Sequence, residues 1–231
     1  MKIIALLPWA DWLALAAFFA IWSAYVWFAR YWGLRKPSLM ASTHRYRHAW
    51  MLQSTSRDPR MLDGIITQSL SASPAFFAST SIFVIGGLFA LLGTTDKAAE
   101  LVREFPFAQP APMMVFEFKI LVLIGIFVYA FFRFTWSMRQ YIIAGVLLGA
   151  MPAPDDLAAG GSGRDRFVER SAALLGLAAD TFNDGLRSYY FSFAALGWFF
   201  SPLAFMLATL LVILVLYGRE FRSDVLRVLN D

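Results

Sequence analysis

The stretch HRYRHAW, residues 44–50, holds both histidines of a chain of 231 residues. His44 and His48 are one helical turn apart, so on a helix both imidazoles share a face, the arrangement that zinc sites use. Zinc needs further ligands, and the chain has neither a third histidine nor a cysteine. Haem held between two histidines needs them on opposite sides of the ring, which one helical turn does not supply. The segment therefore reads as a basic surface helix between Pro37 and Asp58. Tyr46, Ala49 and Trp50 give it an apolar strip, and Arg45 and Arg47 are available to anionic headgroups. Docking of this helix on the extended helix that follows it is compatible with that reading. No metal site is assigned, and the cofactor, if the chain takes one, is left unknown.

A second candidate set is Arg47, Asp63, Gln68, Arg133, Arg139, Asp184 and Arg187, all close to predicted helix ends on one side. Charges at that depth either snorkel to water or, turned inward, pair across helices and line a vestibule. A third set is the hydroxyl triplet Ser79, Thr80 and Ser81 inside an apolar run. Catalytic signatures are absent. GGSG at 160–163 lacks the lysine of a phosphate loop and the spacing of a nucleophile elbow, and reads as a flexible linker. The Asp-Gly pairs at Asp63 and Asp184 lack the further aspartates that divalent-metal chemistry requires. Asp180 and Asp184 share a helical face that reads as solvated or salt-bridged. No ionisable residue falls at the middle of a span, which argues against a proton relay.

The elements that must position these residues follow from composition. With 59% hydrophobic and 16% charged residues, the chain is too apolar for water alone. The fold class is all-α, an integral membrane four-helix bundle with cytoplasmic helical extensions, in a single domain over 1–231. The spans are placed at 11–32, 74–93, 114–134 and 189–217, and the cytoplasmic helical segments at 38–73 and 135–188. Asp11 is read as the N-cap of the first span, and Trp9, Trp12, Trp27, Tyr31 and Trp32 as aromatic belts at its two ends. Asp58 and Pro59 form an N-cap and N1 pair that starts the second helix well before its apolar part. Tyr141 to Ala150 is too short to span, and either continues the third helix or lies at the interface. Ser201 and Pro202 put a kink in the long fourth run. Ala16, Ala20 and Ala24, and Ser71, Ala75 and Ser79, recur every fourth residue and read as close-packing seams.

Lysine and arginine counts set the orientation. The segments 34–73 and 135–188 are basic, whereas 94–114 offers only Lys97 and Arg103 against Asp96, Glu100 and Glu104. Both basic connections are therefore assigned to the cytoplasm and both termini outward, in a bacterial inner membrane. Arg219, Arg222 and Arg227 disagree with that assignment. The basic residues sit beside apolar runs instead of forming a separate module, so nucleic acid is not expected as a partner.

The stretch RHAWMLQSTSRDPRMLDGIITQSLSASPAFFAST resembles the signature region of an uncharacterised membrane-protein family of bacteria and plants, domain of unknown function 599. The likeness rests on Arg47 and Trp50, on Gln68, Ser73 and Phe76, and on the Ala78-Ser79-Thr80 triplet. FEFKILVLIGIFVYAFFRFTWSMRQY and DGLRSYYFSFAALGWFFSPLAFM are similar to later segments of that family. The resemblance implies a multi-span membrane protein and brings no substrate or catalytic residue with it.

The leading expectation is a non-enzymatic protein that forms an oligomeric passage for an ion or small solute, with the bilayer and copies of itself as partners. Arginines would enrich anions at its mouth, and Ser79, Thr80 and Ser81 would offer hydroxyls to a dehydrated solute. The alternative is an accessory or assembly subunit of a larger membrane complex. A third class is a haem or quinone redox protein, since aromatic-rich bundles can hold flat cofactors.

Overall fold

The computed structural model describes residues 7–33, 38–95, 112–159 and 162–230. Arg35, Lys36, Lys97, Arg103 and the acids of the 96–111 segment lie outside the described residues, as do Gly160 and Gly161. The elements are α1 (Trp9–Gly33), α2 (Leu39–Ser54), α3 (Met61–Leu92), α4 (Met113–Gly149), α5 (Pro154–Ala159), α6 (Ser162–Leu196), a 3-10 turn (Gly197–Phe199), α7 (Pro202–Phe221) and α8 (Asp224–Asn230). The structure is an all-α membrane fold in which four helices are long and apolar enough to cross a bilayer: α1, α3, α4 and α7 with its continuation.

Helix α4 is the central stave. Its 37 residues extend about 56 Å, well beyond a hydrocarbon core of roughly 30 Å, so its second half projects from the membrane. Tyr141 to Gly149 thus continue the third helix. Helix α3 runs antiparallel beside it and likewise begins outside the membrane, at Met61. The N-cap position there is Arg60, not Asp58. Asp58 and Pro59 fall in the turn before it, where the Arg60 guanidinium donates to the carbonyls of Ser54 (3.1 Å), Met151 (3.0 Å) and Pro152 (2.7 Å). Asp11 is also not a cap, because α1 starts earlier, at Trp9, and Asp11 is buried in its first turn.

The fourth apolar run departs most from its expected form. Tyr190 and Arg219 would stand about 44 Å apart on one continuous helix. Yet the Arg219 guanidinium donates to the Tyr190 hydroxyl, and Trp198 stacks on Phe205 at 5.3 Å. The run is a helical hairpin, with α6 rising along α4 and α7 returning. At its apex a Cβ on Gly197 would lie 3.0 Å from the Ala204 carbonyl oxygen, so any larger residue would press the two arms apart by a few tenths of an ångström. Ser201 then caps α7, its hydroxyl accepting from Ala204 N at 3.0 Å, with Pro202 in the first turn.

Helix α6 therefore contributes a further pass through the apolar layer. Tyr189 packs edge-on against Phe77, Phe127 and Phe134 at 5.2–5.5 Å, and Phe191 packs on Phe18 and Trp22. Gly185 lets α6 close on α4, since a Cβ there would meet the Phe134 ring at 2.5 Å. The expected linker is shorter than its composition suggests, because Pro154–Ala159 is helical and Ser162 and Gly163 already belong to α6.

Because the run folds back, Asp11 and Asn230 are held at opposite ends of the bundle. Trp198, at the apex, donates to Asp11 of α1 at 2.6 Å. At the other end of the bundle, Asn230 Oδ1 accepts from Ser42 of α2 at 3.1 Å, and Glu220 Oε1 accepts from Met40 N at 3.0 Å. The start of α1 and the end of α8 thus lie at opposite ends of the bundle, and Arg219, Arg222 and Arg227 join the other arginine-rich segments at one basic end.

The small-residue seams also need correction. Ala16, Ala20 and Ala24 face outward from the chain, as does Ser79, while the packed face of α1 is Ala14, Leu15, Phe18, Tyr25 and Ala29. Impermeant thiol labelling of this naturally cysteine-free chain checks the topology. Arg222→Cys and Ser56→Cys should react from one side of intact vesicles and Trp9→Cys from the other. Labelling of Trp9→Cys and Arg222→Cys from the same side would contradict the hairpin.

Candidate functional site

Three helices converge on one carboxylate at the basic end. Asp184, on α6, is 2% exposed; its Oδ1 accepts from Arg187 Nη1 at 3.0 Å, and its Oδ2 pairs with Arg30 of α1 and Arg133 of α4. Buried carboxylates are retained only with such partners, since the unpaired ion would lose its hydration without replacement. The chemical consequence is an excess of cation: three guanidinium groups share one paired acid.

Of these three arginines, Arg187 also borders a cavity of about 260 Å3 between α2 and the bundle. Tyr25, Tyr141, Arg47, Arg187, Arg219 and Glu220 are prominent in its walls. The Arg187 guanidinium lies 5.8 Å from the Tyr25 ring centre and that of Arg219 5.3 Å from Tyr190. Beside it, a recess of about 350 Å3 shares Arg47 and adds His44 and Asp180. Burial raises the Asp180 carboxyl above its ordinary range, and the Asp184 charge adds to this, while Arg47, Arg187 and His44 oppose it. Burial likewise raises the Tyr141 phenol against the pull of Arg47. The site can therefore hold an anion by charge and hydrogen bonding, and it contains one acid whose proton is retained beyond the usual carboxylate range.

Helix α2 roofs this cavity. Ser38 caps it by accepting from Ala41 N at 3.0 Å, and its buried face is Ser42, Met51 and Ser54, not the expected strip. Tyr46 and Ala49 face outward, and Trp50 turns to donate to Asp63 at 2.7 Å. The helix docks mainly on α6, where a Cβ on Gly176 would sit 3.2 Å from His44 Nδ1; toward α3 it makes the Trp50–Asp63 bond. His48 is exposed. Among the described residues no group of three histidine or acidic side chains gathers in a metal-binding arrangement.

The candidate polar set thus divides. Arg133, Asp184 and Arg187 come together, and Arg47 reaches the same cavity. Asp63 belongs to a separate cluster with Trp50 and Arg57, whose guanidinium lies 2.6 Å away. Gln68 and Arg139 are exposed and join neither. The hydroxyls of Ser79, Thr80 and Ser81 donate to the carbonyls four residues earlier, and only Ser81 adds a second partner, the Tyr189 hydroxyl at 2.9 Å.

Sequence reasoning missed Arg30, Arg219 and Glu220 in this site. It also missed a polar clamp at the opposite end, where Lys119 Nζ donates to the Trp198 carbonyl at 2.7 Å and stands 3.6 Å from the Asp11 carboxylate. The available signal was a lone lysine and a lone aspartate, each bordered by apolar residues on both sides.

Asp184→Asn leaves three guanidinium groups without their shared counter-ion and should cost about 3–5 kcal/mol of stability in detergent, read by thermal melting. A variant as stable as wild type would show that the cluster is not needed. Asp180 gives stability a pH dependence. With its folded-state affinity for the proton raised, its contribution to stability declines as pH climbs from the ordinary value of 3.8 and through the raised one. Asp180→Asn should remove that decline from the melting profile.

Neither the curated proteins nor the solved structures yield a match to this chain. A family model does: it covers residues 13–225, all of α1 through α7 except the first few residues of α1, and so takes in every residue of the Asp184 cluster. By that match, the chain belongs to the family described as protein of unknown function, DUF599.

Proposed function

We propose that this membrane protein binds a small anionic solute and passes it across the bilayer without chemical change, entering or leaving through the arginine-bordered cavity. The observation that carries the reading is the set of three arginines, Arg47, Arg187 and Arg219, that line one open cavity with Glu220 as the acid among its lining residues, Arg187 being shared with the Asp184 cluster. At about 260 Å3 the cavity is smaller than the roughly 300–1,000 Å3 typical of drug-sized ligands, and so suits an inorganic anion or a short carboxylate. Tyr25, Tyr141 and Tyr190 line it with hydroxyl and ring edges that can replace part of a hydration shell.

The basic end is assigned to the cytoplasm, since lysine and arginine are retained on that side during insertion. In that orientation the cavity opens inward, the C-terminus is cytoplasmic and the N-terminus is outside, in the inner membrane if the source is bacterial. Within one chain the apolar layer is filled by Phe18, Phe191, Trp198 and Phe205, so the path through it is placed between copies of the chain. The outward strip of Ala16, Ala20 and Ala24 supports such an oligomer, because small side chains let membrane helices approach closely.

Purified protein in liposomes tests the reading. Flux of phosphate, chloride or a short dicarboxylate is expected, and Arg47→Gln should weaken binding of the transported anion roughly tenfold or more, as for a lost hydrogen bond to a charge. Absence of flux for all three, with a foreign subunit in the mass of the mildly solubilised complex, would favour an accessory role instead.

A further inference from the structure

We propose a second site, on the lipid-facing side: the groove between α1 and α4 holds one acyl chain of an anionic glycerophospholipid, with the lipid phosphate at Arg30. Helix α1 takes its backbone neighbours from α7 and leaves the side toward α4 open. There the two helices touch through long side chains, Trp12 with Phe118 and Trp22 with Tyr129, each pair 5.9 Å between ring centres. Past the Trp12–Phe118 contact the two helices leave a groove of about 660 Å3, lined by Trp22, Val26, Val122, Ile126 and Tyr129 and reaching Arg30 on α1.

Volume and charge select the occupant. From Phe19 to Arg30 the groove follows α1 for about 16 Å. Its volume of about 660 Å3 and its mostly apolar walls can take a single hydrocarbon chain along that length. Its floor is open at Gly125, where an added Cβ would meet nothing within 4 Å. Arg30 is the outer member of the Asp184 cluster: its side chain is 53% exposed, against 25% for Arg133 and 9% for Arg187. Because Asp184 is the one acid ion-paired with all three among the described residues, the cluster keeps positive charge that a phosphate at Arg30 would neutralise through charge-assisted hydrogen bonds. Trp27 stacks on Tyr31 beside this mouth at 5.3 Å, at the level where amphipathic rings meet headgroups. The lipid site opens to the bilayer, on the other side of Asp184 from the arginine-bordered cavity, and does not depend on solute passage.

The full chain is purified in detergent and titrated with phosphatidylglycerol or phosphatidylcholine of equal chain length, with retained lipid read by native mass spectrometry and stability by melting temperature. Phosphatidylglycerol should be retained at one copy per chain and raise the melting temperature more than phosphatidylcholine. Arg30→Gln should cut that retention at least tenfold while leaving Asp184 two arginines. Gly125→Leu, which fills the groove and leaves every charge in place, should cut retention of both lipids. Equal retention of the two lipids by wild type, or unchanged retention in Gly125→Leu, overturns the proposal. So does inorganic phosphate alone if it gives the same stabilisation, because the site would then recognise a free anion.

Discussion

A carboxylate shielded from water at the edge of a membrane has to find its counter-charges within the protein, and Asp184 finds them on three helices at once. Arg187 comes from its own helix, Arg133 from α4 and Arg30 from α1. Each partner is separated from the others in sequence, so the ion cluster fixes the relative height of the helices as well as their proximity. Because the guanidiniums outnumber the acid, the same cluster that joins the helices also makes this end of the protein attractive to anions.

A second clamp at the opposite end works by the same logic. Asp11, Lys119 and the Trp198 indole and carbonyl bind α1, α4 and the hairpin apex to one another. Along α4, Lys119 and Arg133 are about 21 Å apart, which sets the thickness of the apolar slab between the clamps. Within that slab, packing is by rings: Phe18, Phe77, Phe134, Tyr189, Phe191 and Phe205 meet edge to face, stacked or tilted. Lipid offers no hydrophobic drive for helix association, so ring packing and the two polar clamps are what bring these helices together. The outward apolar side chains, such as Phe83 and Leu203, remain in lipid and are no liability there.

Local patterning made the membrane layer legible. Runs of about 20 apolar residues have one economical explanation, and those in α1, α3 and α4 fall on helices long and apolar enough to cross a bilayer. The basic helix α2 and the extension of α3 to Met61 were readable from polarity and from the absence of helix breakers. Arg133, Asp184 and Arg187 were also found in advance, because charged residues beside apolar runs are few. Arg30 was passed over because a terminal arginine on a span has an ordinary use in snorkelling, and nothing local distinguishes it from one that turns inward.

By itself the sequence determined the solvent of the chain, its helical class and the crowding of arginine near helix ends, since these depend on composition and on spacing within a few residues. Only the tertiary structure decided that the last apolar run doubles back. Ser201 and Pro202 mark a helix start as well as they mark a kink, and the choice between them rests on Gly197 meeting Ala204 and on Trp198 stacking on Phe205. That one reversal moves the C-terminus to the basic end and brings Arg219 and Glu220 to the cavity. It brings α2 under the tail as well. Such contacts join residues far apart in the chain, and no local pattern of residue types contains the information about which distant partner will be met.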